Sequence, residues 1–223
     1  MAHGTGKRVG VVLAGCGYLD GSEIHEATLT LLELDRLGAV VRAAAPDVPQ
    51  MHVVDHLRGE PTSERRGVLV EASRIVRGKI ESLAGLKAAD LDAVIFPGGF
   101  GAAKNLCSFA VDGPKLKVDP QVERIIREMA AAKKPMGFIC IAPVLAAKVL
   151  GGQHPRLTIG DDKETAEILE GLGAKHVVCK VDEIAVDEQN RLVSTPAYML
   201  GPTIAPVAAG IAKLVAKVIS LAS

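Results

Sequence analysis

The sequence predicts a three-layer α/β sandwich, with helices on both faces of a mainly parallel sheet and a nucleophile elbow at one strand end. Three observations predict it. Arg8 to Ala14 (RVGVVLA) is a continuous apolar and β-branched run, the pattern of a strand buried on both faces. Strand-like runs then alternate with helical periodicities along most of the chain, the order of a parallel sheet with crossover helices. Finally, Pro135 to Pro143 (PMGFICIAP) is a short apolar run that ends on Cys140 and passes straight into a helix start.

The elements follow in chain order. Gly15 to Gly21 is a glycine-rich loop leaving the first strand. Ser22 is expected to cap a helix running to about Leu37, with Ile24, Leu29, Leu32 and Leu37 as its apolar side and Gly38 as its stop. Ala39 to Ala45 is the next strand, which completes a β-loop-α-β unit. Residues 47–67 carry mixed charge with Pro and Gly and predict a long surface insertion; Val68 to Asp92 should hold short helices. Ala93 to Phe96 (AVIF) is a short buried strand followed at once by Pro97-Gly98-Gly99-Phe100-Gly101. Pro120 to Lys133 is a helix with Val122, Ile125, Ile126 and Met129 on one face, and it delivers the chain to the cysteine strand. Beyond the elbow, Ala142 to Lys148 begins a helix with Pro near its first position. A short strand at Leu157 to Ile159, a helix from Asp162 to Leu172, strands at 176–179, 183–186 and 192–195, and an amphipathic helix from Pro202 to Leu221 complete the chain. A single domain over residues 1–223 is expected.

Composition excludes several function classes. Lys+Arg and Asp+Glu both total 26, so no net basic charge draws the chain to nucleic acid. Four cysteines (Cys16, Cys107, Cys140, Cys179) lie far apart without CxxC spacing, which fits a reducing compartment better than a zinc ribbon or disulfide framework. Met1 to Arg8 is short and polar, and no apolar run reaches the ~20 residues of a membrane span. A cytoplasmic protein without membrane or nucleic-acid partners is the expectation. His52 and His56 form an HxxxH pair, but neither a third ligand nor an HExxH glutamate accompanies them, so no metal is expected.

In sheets of this kind the ligand crevice lies at the carboxyl ends of the strands, where residues 15–21, 97–101, 140–143 and 195–199 should meet. A thiol at the elbow would sit by a helix N-terminus, whose partial positive charge should lower its pKa from about 8.5. Gly98 and Gly99 leave their N–H groups unobstructed and, with the Ile141 N–H, predict an oxyanion hole. Glu23, His25 and Glu26 open the first helix beside the elbow, and either carboxyl could hydrogen-bond the sulfur.

Together these segments resemble the class I glutamine amidotransferase-like superfamily, which includes the PfpI-type peptidases and the Parkinsonism-associated deglycases. The resemblance is closer to the ElbB-type proteins, described as isoprenoid-biosynthesis-associated glyoxalases. It rests on Gly15-Cys16-Gly17, Asp20 to Glu26 (DGSEIHE), Phe96 to Leu106 (FPGGFGAAKNL), Gly137 to Pro143 (GFICIAP) and Thr195 to Leu200 (TPAYML). It implies a flavodoxin-like sheet, Cys140 as nucleophile, a homodimer and no cofactor. The family's acid, placed by counting back from the Gly38 that ends the first helix, maps to Glu26, with Glu23 in reserve. PfpI-type enzymes carry His directly after the cysteine, where this chain has Ile141; the amidotransferase His and acid near the C-terminus are replaced by Thr195-Pro196-Ala197-Tyr198. Phe138, two before the cysteine, stands where amidotransferases favour a small residue. Amide hydrolysis needs an acid for the departing amine, whereas a thiolate adds to an aldehyde with no leaving group to expel. The resemblance therefore implies a cofactor-independent glyoxalase-type lyase acting on methylglyoxal or glyoxal, and the missing histidines admit a rival: a weak or vestigial binding or regulatory protein, or a thiol sensor.

Overall fold

The computed structural model describes residues 5–222. Seven strands form the central sheet: β1 (Arg8–Val12), β2 (Val40–Ala45), β3 (Glu81–Ser82), β4 (Ala93–Phe96), β5 (Met136–Ile139), β6 (Ala185–Asp187) and β7 (Leu192–Thr195). Their order across the sheet is β6-β7-β5-β4-β1-β2-β3, all parallel except β6, which pairs antiparallel with β7. The chain runs outward from β1 through β2 to β3, then returns to β4 and builds the other way. The strand order thus reverses between β1 and β4, and α/β sheets open a crevice at such a switch point.

Among the described residues eight helices flank the sheet: α1 (Ile24–Arg36), α2 (Val68–Ile75), α3 (Phe100–Lys104), α4 (Phe109–Asp112), α5 (Pro120–Ala131), α6 (Pro143–Leu150), α7 (Lys163–Gly171) and α8 (Ile204–Leu221). Strand residues alternate between the two faces, as the pleat requires. Val9, Val11, Ile95 and Val193 pack with Ala27 and Leu34 of α1, Val68 and Ala72 of α2, and the Val207-Ile211-Leu214-Val218 stripe of α8. Val94, Phe96, Met136, Phe138 and Leu192 pack on the opposite side with Val122 and Ile126 of α5, Val144 of α6 and Leu169 of α7. The three-layer, mainly parallel, flavodoxin-like architecture is as the sequence predicts.

Four expectations change in detail. Ser22 does not cap α1: its hydroxyl accepts the Ala14 N–H (2.8 Å), and Glu23 is the N-cap, its side chain accepting the Glu26 N–H at 2.7 Å. Residues 175–176 leave the main sheet and pair with Arg156–Leu157 in a two-stranded ribbon. The insertion at 47–67 is tied down, holding a small antiparallel ribbon (Val54–Asp55 with Glu60–Pro61) and bonding the glycine-rich loop through the Val54 N–H to Asp20 (2.7 Å). And α8 is by length and composition apolar enough to cross a membrane, with mean hydropathy 1.8 over 18 residues, although no such run was counted in the sequence. Its apolar stripe is spent on the sheet and on α1.

Candidate active site

The elbow is built by strain that the surrounding backbone holds in place. Cys140 has φ +61°, the left-handed region that side-chain-bearing residues avoid at a cost of roughly 1–3 kcal/mol. Beneath it the β5 backbone is fixed in the sheet, with Phe138 stacked on Phe96 at 5.0 Å between ring centroids. The Cys140 N–H donates to the Thr195 carbonyl (3.0 Å) and the Ala142 N–H to the Ile139 carbonyl (3.0 Å), closing the turn before α6. The bulky Phe138 is therefore part of the elbow's foundation. Cys140 stands above the strand ends at 8% exposure.

Of the two carboxyls left open by the first helix, the structure brings Glu26 to the thiol. Glu26 has no exposed surface, and its carboxyl lies beside Cys140: a Cβ built on Gly98 would meet both the Cys140 side chain and Glu26 Oε2. Its Oε2 accepts the Gly98 N–H (2.9 Å) and its Oε1 the Tyr198 N–H (3.2 Å). Glu23 works one step removed, as the α1 cap and as part of the crevice wall.

The oxyanion-hole expectation needs a correction at Gly98. That N–H is engaged by Glu26, so Gly98 is a clamp on the carboxyl rather than a free donor. The backbone N–H groups that pull the Cys140 thiol downward are those of Gly99 and Ile141. Both glycines are required by close approach. A Cβ on Gly98 would overlap the Cys140 side chain and lie 2.7 Å from Glu26 Oε2. Gly99 has φ +91°, and a Cβ there would run into the Gly21–Glu23 backbone.

A second correction concerns the thiol's acidity. Burial and then the Glu26 charge push the Cys140 thiol well above its ordinary value, and the Gly99 and Ile141 N–H groups offset only part of this. Nearness to the α6 N-terminus does not give a free thiolate. Burial, reinforced by the Glu23 carboxylate, raises the Glu26 carboxyl to about 8, against the pull of the Tyr198 and Gly98 N–H groups. Sulfur and carboxyl compete for one negative charge, so one proton can sit on either.

Cys140 opens onto a cavity of about 730 Å³. Its walls include Tyr18, Phe100, Phe109, Met199 and, on the polar side, His25 and Tyr198. His25 Nδ1 lies 2.7 Å from the Tyr198 hydroxyl and 3.9 Å from Glu23 Oε1. Burial, then Glu23 and Glu26, raise the Tyr198 phenol. Sequence reasoning named no role for Tyr198, although it lies in a strand-end segment expected at the crevice. The signal was its position just beyond β7, on a helical turn (Ala197–Met199) that turns its N–H toward Glu26.

Other candidates lie elsewhere. Cys16 is not among the cavity walls; its electrostatic neighbours are Glu71, Arg74 and Asp20. His56 sits beside the glycine-rich loop, its Nε2 3.4 Å from the Leu19 N–H and 3.7 Å from Asp20 Oδ1, and the His52–His56 pair is not helical. Among the described residues no three His, Cys, Asp or Glu side chains converge on a common point that could hold a metal ion.

The chain is 53% identical over 224 residues to the mitochondrial ES1 protein homolog of Rattus norvegicus, spanning 96% of this chain and 84% of that protein. It belongs to the ES1 family. The human member, named glutamine amidotransferase-like class 1 domain-containing protein 3, mitochondrial, is likewise 53% identical over 224 residues, 96% of this chain and 83% of its own. Among solved structures, an isoprenoid biosynthesis protein with an amidotransferase-like domain from Ehrlichia chaffeensis superposes with a TM-score of 0.89 at 34% identity, covering 96% of this chain and 99% of that one. No family model matches. The ES1 relatives carry the glutamine amidotransferase-like part of the expected resemblance; none of their names speaks of glyoxalase chemistry, and the names of the rat, human and Danio rerio proteins place their bearers in mitochondria rather than the cytoplasm.

Proposed function

We propose that this ES1-family chain is a cofactor-independent glyoxalase-type lyase in which Cys140 is the nucleophile and Glu26 the base. The observation that carries the reading is the buried pair itself: a thiol on the cavity wall beside a carboxyl with no exposed surface, the two meeting at Gly98, where burial raises that carboxyl to about 8. The histidine in the cavity wall, His25, is bonded to Tyr198. A base of that strength suits removal of a proton next to a carbonyl, and the position after the cysteine, His in PfpI-type enzymes, is Ile141 here.

The steps balance as follows. The Cys140 sulfur adds to the aldehyde carbon of an α-oxoaldehyde while its proton ends on the carbonyl oxygen, giving a hemithioacetal. Gly99 and Ile141 N–H groups steady the oxygen as negative charge builds on it. Glu26 takes the proton from the former aldehyde carbon, an enediol forms, and the proton returns to the neighbouring carbon, leaving a thioester. Water cleaves the thioester to the hydroxy acid and frees the thiol, so the net change is addition of one water.

The rival reading, a slow or binding-only site, is favoured by the raised thiol pKa, which keeps most of the sulfur protonated at neutral pH. The same feature weakens the thiol-sensor version, since sensors depend on accessible thiolates. Lactate formation from methylglyoxal separates the readings: steady turnover by the wild type that disappears in Cys140→Ala supports the lyase, and equal rates in both sink it. Four unpaired thiols, three of them buried, suit any reducing compartment, and we place the protein in one, cytosolic or mitochondrial.

A further inference from the structure

The cavity is far larger than the aldehydes that the family resemblance suggests. At about 730 Å³ it holds the volume of roughly two dozen waters at about 30 Å³ each, and cavities of a few hundred Å³ or more ordinarily enclose drug-sized ligands. Methylglyoxal would displace only a few of those waters, leaving most of the wall unused. The wall away from Cys140 is apolar and aromatic: Tyr18 and Phe100 expose about half their surface, with Phe109, Ala110 and Met199 beside them.

Apart from His25, the ionisable side chains with carboxyl or ammonium groups on that wall are acidic. Among the described residues the carboxyl-bearing wall residues are Glu23 and Asp162; none is Lys or Arg. Asp162 caps α7, accepting the Thr165 N–H (2.9 Å), and the bonds from Thr165 hold its carboxyl below the usual range, so it stays ionised. Lys104, with its ammonium 5.4 Å from the Phe100 ring centroid, donates to the Leu19 carbonyl (2.9 Å) and is not part of the wall. Away from the backbone N–H groups at Cys140, a ligand carboxylate or phosphate would meet two carboxyl-bearing side chains and no Lys or Arg, which costs affinity. Neutral polar atoms do have partners, in the Tyr198 hydroxyl and His25.

We infer that the ligand is a carbonyl compound with an aromatic or branched apolar body and no negative charge, seated with its carbonyl at Cys140 and its body against Phe100, Phe109 and Met199. The binding preference follows from the cavity alone; only the fate of the bound carbonyl rests on the lyase reading.

The test uses wild-type protein and three inert ketones of one shape: acetophenone, 4-acetylbenzoate and the 4-trimethylammonium analogue. Affinities are read from chemical-shift titrations. The neutral and cationic ketones should bind with the carboxylate at least tenfold weaker, and shifts should map to residues around Cys140. Raising the salt should narrow the gap, as should Glu23→Gln with Asp162→Asn. Carboxylate binding as tight as the neutral ketone, or no binding of any of the three, overturns the inference. If the ketones bind as expected but phenylglyoxal is not turned over, the lyase reading fails and the ligand class stands.

Discussion

Cys140 and Cys107 are both buried thiols, and comparing them shows what burial alone cannot supply. Cys107 sits between α3 and α4, and its thiol donates to the Ala102 carbonyl at 3.3 Å. Burial pushes it up to about 12, only slightly relieved by the Phe109 N–H, and no carboxyl stands beside it. Cys140 feels the same desolvation but has three things Cys107 lacks: a left-handed backbone that lifts it above the strands, a carboxyl able to exchange a proton with it, and two backbone N–H groups at the sulfur. Cys107 also faces apolar packing, whereas Cys140 faces open cavity. The chemistry is therefore located by what surrounds the sulfur, since both thiols are shifted upward.

Breaking the comparison at the sulfur should give the largest effect. Cys140→Ala should lower α-oxoaldehyde turnover by at least about a thousandfold, because no other group on the wall is a thiol. Cys107→Ala should leave turnover within about twofold and cost about 1 kcal/mol of stability for the lost packing. Comparable losses in the two variants, in paired kinetic and denaturation measurements, would remove the distinction drawn here.

Next comes the approach of β4 to the elbow. Gly98→Ala forces a methyl group into the space shared by Cys140 and Glu26. Activity should fall by about a hundredfold, with roughly 1–3 kcal/mol lost in urea unfolding as the strand ends move apart. Wild-type activity in this variant would mean that the tight junction is not needed for catalysis.

The buried carboxyl also leaves a mark on stability. The folded pKa of Glu26, about 8, exceeds the unfolded value of about 4.3, so the folded state holds the proton more tightly. That contribution is fully present below about pH 4.3 and is lost as pH rises through 8. The melting temperature should decline across that window in the wild type and decline less in Glu26→Gln, as followed by circular dichroism. Glu23→Gln gives the smallest change: the amide oxygen can still cap α1, but removal of a neighbouring charge should move the Glu26 titration to lower pH without a large loss of rate.

Much of this was legible in the sequence because it depends on local pattern. RVGVVLA, AVIF and MGFI had to be buried strands, and the cysteine ending the third had to sit on a turn before a Pro-started helix. Other features depended on which atom claims which partner. Nothing in PGG says that the Gly98 N–H goes to a carboxyl while the Gly99 N–H goes to sulfur. Ser22 looked like the cap because its hydroxyl suits one, yet the Ala14 N–H claimed it and Glu23 took the cap. The thiol's direction of shift was missed for a similar reason: proximity to a helix end is visible in sequence, whereas complete burial beside a carboxylate appears only when α1, β4 and β5 meet. Tyr198 was overlooked because its contribution to the pair is a backbone N–H, which carries no residue signature.

The central claim is that Glu26 exchanges a proton with Cys140 and the substrate, and the pH dependence of kcat/KM for an α-oxoaldehyde tests it most directly. For the wild type the account predicts a rate that rises with pH as Glu26 gives up its proton, with the limb near 8. In Glu26→Gln that limb should vanish and the plateau should fall by about 10²–10⁴-fold. A Glu26→Gln profile that keeps the wild-type limb and height would contradict the pairing and leave Cys140 without its base.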